Sequence, residues 1–132
     1  MAVVVETAVV VAHDIHYRQA SAPTNLSGSF VVNDTDDHQW KVSGQGKGRL
    51  AVALDNPADN TLTVNIYGMH AAGGAVGDAG TFLIGTFTVT AAGDKGYETI
   101  NDPFPWYLIQ VTAASADAAN PTATVYIDFS AF

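Results

Sequence analysis

The sequence predicts an all-β protein, an antiparallel β-sandwich of about eight strands with jelly-roll-like or Ig-like connectivity. Apolar and polar residues alternate with a period near two along most of the chain, the signature of strands with one buried face. β-Branched and aromatic residues fill these runs, and they suit a pleated, half-buried surface. Clusters of Gly, Pro, Asn and Asp separate the runs at short intervals with no helical segment between them, which favours stacked sheets over a layered α/β fold.

The first element is residues 3–11, a strongly β-prone run interrupted only by Glu6-Thr-Ala. Residues 13–24 are polar and show no period. On this change of texture, residues 1–26 are an N-terminal strand or arm and residues 27–132 the sandwich, the whole forming a single domain. An unpaired strand of this composition invites aggregation, so it is either an internal strand or an arm that completes a neighbouring subunit's sheet. Strands follow at 29–32, 39–43 and 49–54. The clearest is 61–67, where Leu62, Val64 and Ile66 face a core while Thr61, Thr63, Asn65 and Tyr67 face out. Within 81–90 the apolar phase changes from Phe82 and Ile84 to Phe87 and Val89. A bulge or bend at Gly85 turns both pairs inward, unless the strand is buried on both faces. The last strands lie at 106–112 and around Val125, Ile127 and Phe129. Turns are expected at 33–37, 55–60, 71–80, 92–96 and 101–105.

Composition narrows the function. Of 132 residues, 48% are hydrophobic and only 14% charged, against roughly 25% charged in an average soluble domain, so some apolar surface is expected to be covered by a partner. Thirteen acidic residues against five basic ones give a net charge of −8. Nucleic-acid binding depends on cations neutralising phosphates, and adhesion to anionic lipid needs the same sign, so neither partner is expected. With no cysteine, disulfides and thiolate metal sites are closed. No run approaches the roughly 18 apolar residues of a membrane span. Residues 1–6 lack a basic region and Glu6 breaks the apolar run, so no signal peptide is read.

No catalytic pattern emerges. His13 and His16 would point to opposite faces of a strand and are read, with His38 and His70, as solvated. Asn33-Asp-Thr-Asp-Asp-His38 is rich in oxygen ligands, but Gln45 stands where a calcium loop starting at Asp34 needs glutamate. It is read as an acidic turn, with weak calcium binding across residues 34–37 as the alternative. Gly44-Gln-Gly-Lys-Gly48 lacks the Ser or Thr and the helix of a phosphate-binding loop. A Gly-x-Ser-x-Gly elbow is absent, and Glu6 and Glu98 stand far apart in the sequence. The chain is therefore expected to be no enzyme and to need no cofactor or metal.

From Phe30 onward the chain resembles small β-sandwich structural proteins of tailed phages and prophages. The resemblance rests on Phe30-Val-Val-Asn33, Val52-Ala-Leu-Asp-Asn-Pro57, Leu62-Thr-Val-Asn-Ile-Tyr-Gly68 and Gly85-Thr-Phe-Thr-Val89 with Ala92-Gly93. It closes with Asp102-Pro-Phe-Pro-Trp-Tyr-Leu-Ile-Gln-Val111 and Asn120-Pro-Thr-Ala-Thr-Val-Tyr-Ile127. It implies a virion structural protein made in the host cytoplasm, of capsid decoration (cement) or tail accessory type. Its partners would be the major capsid protein or other virion subunits, together with copies of itself.

Exposed apolar residues are the expected contacts: Val3, Val5, Val9 and Val11 in the first strand, Tyr67, Met69 and His70 entering the Gly-rich loop, and Phe104, Trp106 and Tyr107 at the Pro-aromatic corner. Two other classes remain open. A carbohydrate-binding module would use Trp40 and Trp106 for stacking and the acidic turn for calcium. A self-assembling filament subunit would lend its first strand to a neighbour.

Overall fold

The computed structural model describes residues 3–6, 9–10, 24–32, 37–44, 49–55, 61–71, 73–90, 95–102, 104–114 and 121–130. Among these residues the protein is all-β. Its strands are β1 (Val3–Glu6), β2 (Val9–Val10), β3 (Thr24–Val31), β4 (Asp37–Ser43), β5 (Arg49–Asp55), β6 (Leu62–Met69), β7 (Thr81–Val89), β8 (Lys95–Ile100), β9 (Trp106–Ala113) and β10 (Thr122–Ser130). They form two sheets, ordered β1-β4-β9-β6-β7 and β2-β3-β10-β5-β8.

Eight of the strands pair antiparallel from the outside in: β3 with β10, β4 with β9, β5 with β8 and β6 with β7. This is one long hairpin rolled into two four-stranded sheets, the jelly-roll connectivity, and it decides between the two sandwich types expected. The apolar run at 3–11 divides between the sheets. β1 pairs parallel with β4, Val3 beside Asp37, and β2 pairs antiparallel with β3, Val9 beside Ser27. Residues 3–6 and 9–10 thus cover an edge of each sheet within their own chain, which makes these pairings internal ones. The boundary expected between residues 26 and 27 falls inside β3.

Alternation builds the core. From one sheet Trp40, Val42, Leu62, Val64, Ile66, Ile109 and Val111 point inward, and from the other Leu50, Val52 and Leu54, with Val125, Ile127 and Phe129. The inward faces predicted for residues 62, 64, 66, 125, 127 and 129 are all buried. Trp40 spans the gap between the sheets. It lies in the inward row of β4, opposite Ile109, and a Cβ built on Gly28 of β3 would strike its indole ring. Gly28 is therefore the hollow that admits the largest side chain of the core.

In β7 the pairing with β6 slips between Ile66 and Tyr67: Gly85 faces Ile66 and Leu83 faces Tyr67, leaving Ile84 as the extra residue. This is the bulge expected near Gly85. Ile84 and Phe87 pack on the core, but Phe82 is exposed, which corrects the inward position expected of it, and the strand is open to solvent rather than buried on both faces. β7 is the outer strand of its sheet, so its first residues have little above them.

Candidate functional site

Two of the three segments expected to make contacts converge at one end of the first sheet. Register sets Met69 beside Trp106 and Gly68 beside Tyr107 on β9, and Gly68 beside Phe82 on β7. The loop between β6 and β7 is closed at its base, where the His70 N–H donates to the Gly80 carbonyl at 2.9 Å. Within it the Ala75 N–H donates to Asp78 Oδ2 at 2.9 Å and the Asp78 N–H donates to the Ala75 carbonyl at 3.0 Å. The loop folds over Met69, whose sulfur would lie 3.1 Å from a Cβ on Gly74.

The corner at 101–105 is pinned from below. Tyr107 Oη donates to the Asp102 carbonyl at 2.8 Å and accepts the Phe104 N–H at 3.2 Å. The Phe104 ring lies over Gly68, where any side chain would collide with it. Rings then follow one another outward from the core. Phe129 and Tyr107 have centroids 5.9 Å apart, Tyr107 and Phe104 6.3 Å, and Phe104 and Phe82 6.3 Å. The series ends at the surface with Phe82, 52% exposed, beside Leu83, 56% exposed. Val76 in the loop is also exposed.

Several expected contact residues lie elsewhere. Met69 and Tyr107 are fully buried, the first under its own loop and the second as the pin of the corner, which corrects their placement at the surface. Trp106, Phe104 and Tyr67 are half-buried and His70 is exposed. Of Val3, Val5 and Val9 only the backbone pairing is described, and Val11, His13, His16 and residues 33–36 lie outside the described residues. Trp40 is buried and offers nothing to a sugar. Phe82 and Leu83 were legible as apolar residues on a strand, but their exposure follows from the edge position and the bulge.

Burial pushes the Tyr107 phenol above its ordinary value; the Phe104 N–H pulls it back and the Asp102 carboxylate adds to the rise. The native state thus holds this proton longer than the unfolded chain does, and the associated stability is present below about pH 10 and lost as pH rises through the raised value. Tyr107→Phe keeps the ring and deletes both hydrogen bonds. Urea unfolding is expected to show a loss of about 1–2 kcal/mol at pH 7, with a shallower decline of stability above pH 10 than in the parent. An unchanged midpoint would remove the pin from the account.

The outer face of the same sheet carries a row of polar side chains. Thr86 Oγ1 donates to Asn65 Oδ1 at 2.8 Å, and Asn65 Nδ2 donates to Gln110 Oε1 at 3.0 Å. Tyr67 Oη donates to the same Gln110 oxygen at 3.2 Å. Gln110 Nε2 donates to Asp37 Oδ2 at 2.7 Å, and Gln39 Nε2 reaches it at 3.3 Å. The row crosses β7, β6, β9 and β4 and holds their register by side chains. Burial, and then the Asp37 charge, raise the Tyr67 phenol. Asp37 is 4% exposed, and its Oδ1 has no hydrogen-bond partner among the described residues.

No protein-family model matches the chain, and no curated protein matches it. Solved structures do. The PBSX exported protein XepA superposes with a TM-score of 0.65 at 12% identity over 92% of this chain, which spans only 40% of XepA. The Yersinia pseudotuberculosis-derived mitogen gives 0.54 at 11% identity, covering 84% of this chain and 88% of that one. The K3 cleaved adhesin domain of Lys-gingipain from Porphyromonas gingivalis W83 gives 0.52 at 16% identity, covering 83% and 74%. At these identities the likeness shows the fold alone: this chain is a small β-sandwich of a kind shared by an exported protein, a mitogen and an adhesin domain.

Proposed function

We propose that the chain is a non-enzymatic virion structural protein, a capsid decoration (cement) or tail accessory subunit, that docks through the start of β7. The observation that carries this reading is the aromatic series from Phe129 to Phe82. It ties an exposed phenylalanine to the core through successive ring contacts, and its neighbour Leu83 lies on an edge strand. An apolar side chain held in place before contact loses little entropy on docking, which is the property of an interface anchor. The resemblance to phage β-sandwich proteins supports the particle, and the low charged fraction supports covered surface. The partners are further copies of the chain and the shell subunits beneath them.

Light scattering coupled to size-exclusion chromatography tests this on the full chain. A discrete oligomer is expected, and Phe82→Ser with Leu83→Ser is expected to return it to a monomer while lowering Tm by only about 3 °C. A parent that stays monomeric at every concentration, or an oligomer indifferent to the double substitution, would overturn the reading.

A further inference from the structure

The outer face of the second sheet holds a trough. Its floor is β5, which presents only Ala51 and Ala53 between Arg49 and Asp55 on that side. One wall is β10, with Tyr126 beside Ala53 and Asp128 beside Ala51. The other is β8, with Tyr97 beside Ala53 and Thr99 beside Ala51. Tyr126, Ala53 and Tyr97 thus form a single cross-strand row, the tyrosines two strands apart. That is a separation of about 10 Å, with an alanine between them. Tyr97 is 72% exposed and Tyr126 42%, so both side chains are open to solvent on this face. The row is separate from the start of β7 that carries Phe82.

We propose that this trough binds a single chain of a neutral polysaccharide. The width suits one pyranose ring held between two phenol rings, whose faces take the apolar C–H side of a sugar. Hydroxyl and carboxylate groups line the walls at Thr99, Thr124 and Asp128, ready to accept from or donate to sugar hydroxyls. Burial holds the Asp128 carboxyl above its ordinary value. The charges on this face balance, Arg49 and Lys95 against Asp55 and Asp128, with Lys95 3.9 Å from Asp55, so a polyanion gains no net attraction here and a neutral chain loses none. The backbone groups of β5 already bond to β8 and β10, so this face offers a peptide no strand edge to extend. A glycan keeps its hydroxyl edge in water.

The test is titration calorimetry of the full chain with cellohexaose, maltohexaose, laminarihexaose and mannohexaose, with hyaluronan hexasaccharide as the anionic control. At least one neutral hexasaccharide is expected to bind at millimolar concentration or below. Tyr97→Ala and Tyr126→Ala are each expected to weaken that binding about tenfold, and Tyr97→Phe to preserve it. Ala53→Met, which fills the floor and leaves both rings, is expected to abolish it. Thermal unfolding of each variant establishes that it is folded. Binding to none of the neutral sugars, preference for hyaluronan, or binding indifferent to both tyrosines would overturn the proposal. So would a change of molecular mass in Tyr97→Ala, which would make this face a contact between copies. None of these outcomes touches the start of β7, so the two proposals fail separately.

Discussion

Gly28→Ala is expected to cost about 3 kcal/mol of stability or more, although it adds one methyl group to a strand. The new Cβ would meet the Trp40 indole at Nε1, Cε2 and Cδ1. A flexible side chain would turn aside, but the Trp40 ring is wholly buried and lies against Phe30, with centroids 5.6 Å apart. The clash is therefore relieved only by moving the sheets apart. Urea unfolding is the measurement, with a fall in Tm of about 10 °C as its thermal counterpart. Trp40→Phe in the same chain shortens the ring system and removes an indole N–H that is buried without a partner among the described residues. The double variant is thus expected to be more stable than Gly28→Ala alone, a non-additivity that a general strand penalty for the substitution would not produce.

Gln110→Leu is expected to cost about 3 kcal/mol while keeping the buried volume nearly constant. Gln110 stands at the centre of the polar row: its oxygen takes the Asn65 amide and the Tyr67 hydroxyl, and its nitrogen supplies the shorter of two bonds to Asp37. Leucine leaves those donors facing an apolar group and leaves a buried carboxylate with only Gln39 among the described residues. Adding Asp37→Leu removes the orphaned charge as well, so the pair is expected to be less destabilised than Gln110→Leu by itself. Chemical denaturation of the three variants against the parent checks both statements. A double variant weaker than the single one would mean that Asp37 has a stabilising role beyond its two amides.

The sheets were legible where one face is buried. Residues 62–66 and 125–129 alternate cleanly because each has a packed core on one side and water or a polar row on the other. β8 is not among the expected strands: the turn expected at 92–96 takes in only its first two residues and 97–100 carry no expectation, since in Lys95-Gly-Tyr-Glu-Thr-Ile100 only Ile100 is buried. β3 was read as beginning at Ser29 rather than Thr24 for a related reason. The inward place at residue 28 is a glycine that makes room for Trp40, so the strand's apolar signal is carried by a residue on the opposite sheet. The contact surface was half legible. The sequence brought the 67–80 loop and the 104–107 corner forward separately, and register brings them together. Burial then withdraws Met69 and Tyr107 and puts Phe82 and Leu83 in their place, an exchange set by the edge and by the bulge at Ile84, which depend on strand order.

Docking through the start of β7 is tested most directly by hydrogen exchange, read by mass spectrometry, on dilute and concentrated samples of the full chain. The outer strand of a sheet has N–H groups with no partner on one side, and these exchange quickly until something covers them. The account predicts that raising the concentration slows exchange in the peptides carrying residues 81–84 and 104–106 and leaves β8 and β10 unchanged. Protection that does not depend on concentration at 81–84, or that arises on β1 and β2 instead, would contradict it.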